Sequence, residues 1–273
     1  MSGKLYVVGT PIGNLNDLSP RGIETLESVD FIAAEDTRVT LKILNRFEIK
    51  KPLISYFEHN KFSKGEQIAD RILNGENCAL VTDAGMPAIS DPGEDLVKLC
   101  RESGIEIESV PGPCAFTTAL AISGMPSKRF TFDGFPPVEK KERAEFFSSL
   151  VNEKRTIVLY EAPHKLGATL KDLLTYLGNR EIAIVRELTK IHEQVIKTDL
   201  ENAVSAYGDN SLKGEIVLII TGAEESAGSS MTFEDAVKYA LELSDNGETK
   251  TNAAKIAAKE SGFKKGEIYK ELI

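Results

Sequence analysis

Short apolar runs that alternate with longer amphipathic stretches constrain the fold of this chain more than any other feature. In the first part of the sequence, these runs predict five strands, at residues 5–9, 31–34, 52–56, 78–82 and 105–110. Stretches of helical period fill the intervals between them. Strands that are separated by crossover helices form a mostly parallel sheet with helices on its faces. We therefore expect an α/β domain over residues 1–112.

Two of the helices in this domain have well-marked starts. Ser19 is a suitable N-cap residue, and Pro20 follows it at the first helical position, where a missing N–H group costs nothing. Residues 91–93 (DPG) open a second helix, which carries Leu96 and Leu99 on its apolar face. Both starts support the alternating assignment.

A second alternating set of strands and helices follows. Apolar runs at 129–132, 156–160, 181–185, 194–197 and 215–221 predict strands of a second α/β domain, over residues 113–222. Residues 187–193 join two of these strands and leave no room for a crossover helix. Such a short connection indicates an antiparallel pair, so the second sheet is expected to be mixed.

The C-terminal part of the chain differs in composition from the rest. Residues 223–230 are small and polar, as in linkers. Helical patterns at 233–243, 252–259 and 264–272 predict a small helical unit over 231–273, with the spacing of a helix-turn-helix. Residues 250–273 contain six lysines and three glutamates, whereas residues 1–249 carry a net charge of −12. This asymmetry indicates a polyanion contact, although lysines that only keep a terminal helix pair soluble would give the same pattern.

Composition excludes several classes of protein. No apolar run approaches the roughly 20 residues needed to cross a bilayer, and the first residues lack the apolar region of a signal peptide. We therefore expect a cytoplasmic protein with no membrane contact. The three cysteines and three histidines are scattered, with no pair at metal-ligand spacing, so no disulfide framework and no metal site are predicted.

Familiar cofactor and catalytic motifs are also missing. Residues 9–14 (GTPIGN) follow the first strand, but their glycines are four apart and a proline interrupts them, which disfavours a dinucleotide cradle. The Walker pattern, the nucleophile elbow and the His-Glu-x-x-His helix do not occur. These absences disfavour dehydrogenase, nucleoside triphosphatase and hydrolase functions.

Three loops rich in glycine and proline remain, at residues 9–14, 82–93 and 110–115. Each follows a predicted strand, and open α/β sheets bind ligands beyond the carboxyl ends of their strands. No lysine or glycine cluster stands ready for phosphates, so backbone donors and acceptors in these loops suit an adenosine better than a triphosphate. Any one loop alone could be an ordinary tight turn, but three in one chain favour a ligand site.

Seven segments give the chain a specific resemblance. They are LYVVGTPIGNL at 5–15, AAEDTR at 33–38, VTDAGMP at 81–87, VPGPCA at 110–115, YEAPH at 160–164, RELTK at 186–190 and KGE at 213–215. In this order they resemble the tetrapyrrole methylase superfamily, and within it a branch that modifies ribosomal RNA. The resemblance covers nearly the whole chain.

This resemblance implies a fold, a cofactor and a reaction. The fold is two α/β domains with a ligand cleft between them, and the protein is expected to be a homodimer. The implied reaction transfers a methyl group from S-adenosyl-L-methionine to the ribose 2′-oxygen of a decoding-centre cytidine in small-subunit ribosomal RNA. The implied donor contacts are Pro11, Asp83, Gly85, Met86, Ile89, Cys114, Ala115, Tyr160, Ala162 and Gly214.

A ribose hydroxyl is a poor nucleophile while protonated, so a general base would help the transfer. The candidate catalytic residues are Glu35, Asp36, Glu187 and Lys190. We expect Glu35→Gln or Asp36→Asn to reduce turnover more than donor affinity. The alternative for Asp36 is a helix cap, and for Lys190 a surface turn lysine.

RNA contacts are expected from cations outside the donor loops. Arg38 has the fork geometry that suits a phosphate, and the candidate tail residues are Lys255, Lys264 and Lys265.

Two other functions stay open on sequence alone. One is a methylase for a corrin precursor, which would give the basic tail no evident role, and the other is an RNA binder of ribosome assembly that lacks chemistry.

Overall fold

The computed structural model describes residues 2–209, 212–223 and 231–273. The chain forms two compact units, Met1–Thr221 and Gly222–Ile273, and each is described by itself. Residues 224–230 of the predicted linker lie outside the described residues. The predicted boundary at residue 112 falls between the last strand of the first sheet and the helix that follows it.

The first sheet contains five parallel strands. They are β1 (Lys4–Val8), β2 (Phe31–Ala34), β3 (Leu53–Ser55), β4 (Cys78–Val81) and β5 (Glu106–Val110), in the spatial order β3-β2-β4-β1-β5. Each predicted strand is confirmed, with ends that differ by at most one residue. Because all strands run the same way, the loops that follow β2, β4, β1 and β5 leave the sheet at one edge.

Helices connect these strands and cover both faces of the sheet. They are α1 (Pro20–Ser28), α2 (Thr37–Arg46), α3 (Lys61–Leu73) and α4 (Glu94–Glu102). The predicted start of α1 is confirmed, since Ser19 Oγ accepts a hydrogen bond of 3.0 Å from the backbone N–H of Gly22. Leu5, Ala33 and Leu80 pack in the core on one face, and neighbouring residues of the same strands pack on the other. Burial on both faces explains why these strands are almost continuously apolar.

The second sheet is mixed, as predicted. It consists of β6 (Phe130–Phe132), β7 (Thr156–Glu161), β8 (Glu181–Arg186), β9 (Gln194–Asp199) and β10 (Ile216–Ile220), in the order β6-β7-β10-β8-β9. Only β6 and β7 are parallel, and β8 pairs with β9 as the antiparallel hairpin that its short connection indicated. The fold class, two α/β sheets with helices on their faces, is confirmed.

The second sheet also has two buried faces. Helices α6 (Lys140–Ser149), α7 (Leu166–Leu177) and α8 (Leu200–Tyr207) belong to one of them, where Leu166, Leu170 and Leu200 pack on the sheet. On the other face lie Ala119 and Leu120 of α5 (Ala115–Ile122), together with Ile12 from the loop after β1. This second face joins the two sheets, so the loops of the first sheet pack directly on it.

The C-terminal unit is a bundle of three helices, α9 (Phe233–Asp245), α10 (Lys250–Ser261) and α11 (Lys265–Glu271). Its core contains the small residues Ala240 and Ala254 with Ile268. Gly262 has φ 77°, the left-handed conformation that ends a helix, so the predicted break between the last two helices is confirmed. Among the described residues, the structure contains no helix that is long and apolar enough to span a membrane.

Candidate active site

The loops after β1 and β4 are tied to each other beyond the edge of the first sheet. The backbone N–H of Thr10 donates to the carbonyl of Gly85 at 2.9 Å, and the N–H of Gly85 donates back to Thr10 at 3.1 Å. The buried Thr10 hydroxyl also donates to the carbonyl of Thr82, at 3.1 Å. Three hydrogen bonds therefore fix the relative position of two of the predicted ligand loops.

The loops after β1 and β5 approach even more closely. A Cβ atom built on Gly112 would lie 2.7 Å from the carbonyl oxygen of Gly9, and one built on Gly9 would lie 2.7 Å from the Gly112 nitrogen. These distances are shorter than van der Waals contact, so neither position has room for a side chain. These two glycines thus allow one loop to pack directly against the other.

The loop over residues 82–93 contains four residues with left-handed backbone conformations. Gly85 has φ 90° and Gly93 has φ 143°, while the non-glycine residues Ala88 and Ser90 have φ 66° and 62°. A non-glycine residue in this region costs about 1–3 kcal/mol and persists only where its surroundings hold it. The contacts around Gly93 are close, since a Cβ there would lie 3.0 Å from Leu80 and 3.2 Å from the Ala88 side chain.

A cavity of about 330 Å³ lies where these loops face the second sheet. This volume is within the range of small-molecule sites. The lining residues come from the loops after β1 and β4, from α5 and from the ends of β7 and β10. They are Ile12, Ala84, Gly85, Met86, Ile89, Ser90, Asp91, Cys114, Ala115, Phe135, Tyr160, Glu161, Ala162, Pro163, Leu188, Glu215, Ile216 and Val217.

The cavity brings together most of the residues that sequence analysis singled out for the donor. Those that line it are Gly85, Met86, Ile89, Cys114, Ala115, Tyr160 and Ala162. Pro11, Asp83 and Gly214 do not line it, but each is next in sequence to a residue that does. Sequence analysis did not select Asp91, Phe135 or Glu161 for the cavity.

Tyr160 anchors an aromatic wall of the cavity. Its hydroxyl accepts a hydrogen bond of 3.1 Å from the backbone N–H of Phe116, and its ring centroid lies 4.9 Å from that of Phe132 and 5.4 Å from that of Phe135. Burial, followed by the nearby Cys114, raises the pKa of Tyr160 to about 12. The phenol is therefore neutral near pH 7. Phe135 keeps 56% of its surface exposed, so the aromatic wall extends to the cavity mouth.

The charged residues on the cavity wall are all acidic. Among the described lining residues, Asp91, Glu161 and Glu215 are the ionisable carboxyls, and no lysine or arginine accompanies them. The carboxylate of Glu161 is fully engaged, since one oxygen accepts from the N–H of Ala162 at 2.8 Å and the other from the hydroxyl of Thr169. A wall of this sign favours a cationic ligand and disfavours phosphates.

Glu35 and Asp83 continue the acidic group behind the cavity wall. Glu35 follows β2 directly and Asp83 comes after β4, and the two strands are neighbours in the sheet. An oxygen of Glu35 accepts from the Thr82 hydroxyl at 2.6 Å, and Asp83 accepts from the backbone N–H of Asp36 at 3.1 Å. Burial raises the pKa of Asp83, and the negative charge of Glu35 raises it further.

Asp91 is the member of this group that reaches the cavity. Burial raises its pKa to about 7, and the charges of Glu35 and Asp83 act in the same direction, while a hydrogen bond with the Thr82 side chain opposes them. The sequence places Asp91 in the predicted ligand loop over 82–93 and at the start of a helix, without marking it as a site residue. The signal that could have identified it is a carboxylate within a loop that follows a parallel strand.

Asp36 and Arg38 form a separate pair. Asp36 caps α2 by accepting from the backbone N–H of Arg38 at 2.8 Å, and its carboxylate also binds the Arg38 guanidinium, with an N–O distance of 2.6 Å. This side-chain hydrogen bond is the main reason why the pKa of Asp36 falls to about 2. The helix-cap alternative is therefore confirmed for Asp36. The Arg38 side chain is 87% exposed, and neither residue lines the cavity.

Glu187 and Lys190 meet in the turn between β8 and β9. Lys190 Nζ lies 3.0 Å from a Glu187 oxygen and 3.5 Å from a Glu215 oxygen. Burial, the largest effect on the pKa of Lys190, lowers it, but the hydrogen bond with Glu187 and the charge of Glu215 together raise it above its usual value. Lys190 is thus a cation at neutral pH. That charge state suits an electrostatic role better than the role of a base.

The same turn touches the first sheet's loops through glycine. A Cβ on Gly13 would lie 2.8 Å from the Thr189 hydroxyl oxygen and 2.9 Å from the Leu188 carbonyl. Gly214, with φ 92°, leaves space that the Glu187 carboxylate fills. Gly214 therefore accommodates an acidic side chain in this structure, which explains why that position takes no side chain of its own.

The family model described as Tetrapyrrole (Corrin/Porphyrin) Methylases matches residues 4–204. The ribosomal RNA small subunit methyltransferase I of Synechocystis is 44% identical over 98% of this chain and 96% of its own length. The protein of that name from Bacillus subtilis is 41% identical over 98% of this chain and 93% of its own.

The chain belongs to the tetrapyrrole methylases. Its curated relatives place it in the ribosomal RNA small subunit methyltransferase I branch of this family. Solved structures of tetrapyrrole methylases agree on the fold. A cobalt precorrin-4 methyltransferase gives a TM-score of 0.60 at 19% identity over 80% of this chain and 94% of its own.

One relative is shorter than this methylase. A Thermotoga maritima ribosomal RNA small subunit methyltransferase I is 46% identical over 81% of this chain, and that alignment covers 100% of its own length. A relative with the same name is therefore shorter than this chain by about a fifth.

In the C-terminal unit, the predicted RNA contacts Lys255, Lys264 and Lys265 are exposed. No group of three or more potential metal ligands occurs among the described residues.

Proposed function

We propose that this methylase transfers a methyl group from S-adenosyl-L-methionine to the ribose 2′-oxygen of a decoding-centre cytidine in small-subunit ribosomal RNA. The observation that carries the proposal is the acid-walled cavity at the ends of the parallel strands, in a chain whose relatives are named for this RNA. We further propose that the protein acts in the cytoplasm as a homodimer.

The cavity suits the proposed donor in charge and in lining. The donor carries a sulfonium and an ammonium group against one carboxylate, so its net charge is positive. The Glu161 and Glu215 carboxyls line the cavity, and no lysine or arginine lies among the lining residues that the structure describes. Apolar residues such as Met86 and Ile89 suit the adenosine, and we propose the ten predicted donor contacts as its binding residues. A phosphate-rich cofactor would find no cation on this wall.

When bound, the donor supplies a methyl group attached to a positively charged sulfur. The sulfur is a good leaving group because it becomes a neutral thioether. The protein then has to align the acceptor oxygen with that group and exclude water. The hydrogen-bonded loops around Thr10 and Gly85 provide a rigid wall for alignment. The apolar surface of Met86, Ile89 and Tyr160 excludes water from the reacting atoms.

Recognition of RNA requires exposed cations, because the net charge of residues 1–249 is −12. The exposed Arg38 lies just after β2, on the loop edge that carries the donor site, and we propose it as a phosphate contact. Lys255, Lys264 and Lys265 are proposed as further phosphate contacts on the C-terminal unit. The shorter Thermotoga relative supports an accessory role for part of the chain, in affinity and not in chemistry.

The direct test is to map methyl label on RNA. Small ribosomal subunits from cells that lack the protein are incubated with the purified methylase and methyl-labelled S-adenosylmethionine. We expect one labelled nucleotide, a decoding-centre cytidine that resists alkaline cleavage because its 2′-oxygen is methylated. Label on the base of a nucleotide would refute the 2′-oxygen assignment. Label on a tetrapyrrole precursor but not on the subunit would favour the corrin alternative.

Truncation separates RNA affinity from donor binding. A chain that ends at Gly222 lacks the whole C-terminal unit, which forms its own compact core. We expect weaker RNA binding with a shallower salt dependence, and an unchanged affinity for the donor. The full-length triple variant with Lys255, Lys264 and Lys265 changed to glutamine is the control, because it removes charge and keeps the fold. RNA affinity that survives both changes would refute the role of the tail.

A further inference from the structure

The proposed reaction leaves open which group takes the proton from the acceptor hydroxyl. Sequence analysis offered Glu35, Asp36, Glu187 and Lys190, and none of them lines the cavity. A base has to come within hydrogen-bond reach of the proton that it removes. The reacting atoms must meet beside the donor, so a group on the cavity wall has the better position.

The hydrogen bonds and ion pairs of those four residues also make them less suitable as the base. The Glu35 carboxylate accepts from the Thr82 hydroxyl, and Asp36 holds both the start of α2 and the Arg38 guanidinium. Glu187 is paired with Lys190, whose raised pKa keeps it protonated. Each therefore has a structural partner, and Lys190 lacks a free electron pair at neutral pH.

Three carboxyl groups do line the cavity, and they differ in their contacts. Both oxygens of Glu161 are used by Ala162 and Thr169. Glu215 lies 3.5 Å from Lys190, and its side chain is 74% exposed. Asp91 is partly buried on the wall, and its carboxyl lies near the side chains of Thr82 and Tyr160.

The Thr82 hydroxyl connects Asp91 to the acids behind it. Thr82 is 1% exposed, and its hydroxyl donates to Glu35 at 2.6 Å. The same side chain contacts Asp91. Glu35 thus orients Thr82 and adds negative charge next to Asp91, so it acts on the cavity through another residue.

We propose that Asp91 is the general base of this methylase and that Glu35 is a positioning residue behind it. The proposal rests on the function proposed above. The ribose oxygen forms a bond to the methyl carbon as the carbon–sulfur bond breaks, and the electron pair of that bond stays on sulfur. The hydroxyl proton passes to the Asp91 carboxylate. The products are a 2′-O-methyl ribose, the neutral thioether and protonated Asp91, which returns its proton to water.

The titration of Asp91 gives this step a pH dependence. The groups that face it are Glu35 from β2, Asp83 from the loop after β4, Thr82, and the neutral phenol of Tyr160 from β7. Burial and the two acids place the pKa of Asp91 at about 7. Only the ionised form accepts a proton, so turnover rises with pH through this value and levels off above it.

The experiment compares three single variants of the full-length protein with the parent. Asp91→Asn removes the base and keeps the shape of the side chain. Glu35→Gln removes a neighbouring charge and keeps an acceptor for Thr82. Glu94→Gln is the matched control, because Glu94 is an exposed acid three residues further along and does not line the cavity. Single-turnover rates on small subunits are measured from pH 5.5 to 9, with donor affinity by calorimetry and the Asp91 titration by carbon NMR.

We expect Asp91→Asn to lower turnover by about 10²- to 10⁴-fold, with donor affinity within a factor of three of the parent. The rise with pH disappears in this variant. Glu35→Gln moves the midpoint of the rise, and of the NMR titration, to lower pH, because a repulsive charge is gone. Glu94→Gln leaves both unchanged.

Two results overturn the assignment of Asp91. Parent-level turnover in Asp91→Asn shows that the base lies elsewhere. A loss of donor affinity that accounts for the loss of turnover shows that Asp91 binds the donor instead. Failure of the proposed function looks different, because the parent itself then labels no nucleotide on the small subunit.

Discussion

Asp91→Asn is expected to stabilise the fold at neutral and alkaline pH while it damages the reaction. The carboxyl of Asp91 has its pKa raised from 3.8 to about 7, chiefly by burial and then by Glu35 and Asp83. A raised pKa means that folding favours the neutral form of the group. The folded state therefore loses stability as pH rises from about 4 to about 7, and the loss stays constant above that.

The size of this effect follows from the change in pKa. At about 1.4 kcal/mol for each tenfold change in the ionisation equilibrium, a rise from 3.8 to about 7 corresponds to about 4 kcal/mol at most. Asp91 faces an open cavity, and solvent screening reduces this to about 1–2 kcal/mol. Asparagine has the same shape and carries no charge, so the variant should gain that amount above pH 7.

Urea unfolding of parent and variant at pH 4, 5.5, 7 and 8.5 measures the effect. The difference in the free energy of unfolding should be smallest at pH 4, increase through pH 5.5 and reach its full value at the two higher pH values. Glu94→Gln, which removes an exposed charge, should show no comparable trend. A difference between parent and Asp91→Asn that is constant with pH would refute the raised pKa.

Three further outcomes test other parts of the site. Gly112→Ala should lower the free energy of unfolding by about 1–3 kcal/mol in urea titrations, because its Cβ would overlap the neighbouring loop backbone. Gly65→Ala should not, since its Cβ meets only ordinary contacts of 3.7 and 3.9 Å; equal losses would contradict the packing argument. Tyr160→Phe leaves a backbone N–H without its acceptor, which should cost about 1–3 kcal/mol, and an unchanged stability would count against that bond. Glu187→Gln should lower the pKa of Lys190, observable by nitrogen NMR, because a negative charge that raises it is removed; a pKa that stays constant would contradict the contribution of Glu187.

Local signals made most of the fold predictable. Strands buried on both faces, such as β4 and β10, are nearly continuous apolar runs, and the capping residue Ser19 marked a helix start. The antiparallel hairpin of β8 and β9 followed from the short connection between them. Each of these features depends on residues that are close in sequence.

The functional site was less predictable because its groups come from different strands. The donor loops could be named from their glycines and prolines, and seven of ten residues do line the cavity. Glu35 and Thr82 follow neighbouring strands, β2 and β4, and are joined by a hydrogen bond. This contact depends on the order of strands in the sheet, which cannot be predicted from a local sequence pattern. The raised pKa of Asp91 likewise results from burial and from charges distant in sequence.

The left-handed residues Ala88 and Ser90 have a consequence for ligand affinity. A flexible loop loses conformational entropy when a ligand orders it, and that loss is subtracted from the binding free energy. In this loop Ala88 is already held within the folded chain, since its N–H donates to the Pro92 carbonyl at 3.4 Å and its side chain packs closely against Gly93. The entropy is lost during folding, before any ligand arrives. A ligand that enters the cavity thus meets a loop that is already ordered. The entropy lost in ordering this loop lowers the stability of the protein and does not weaken ligand binding.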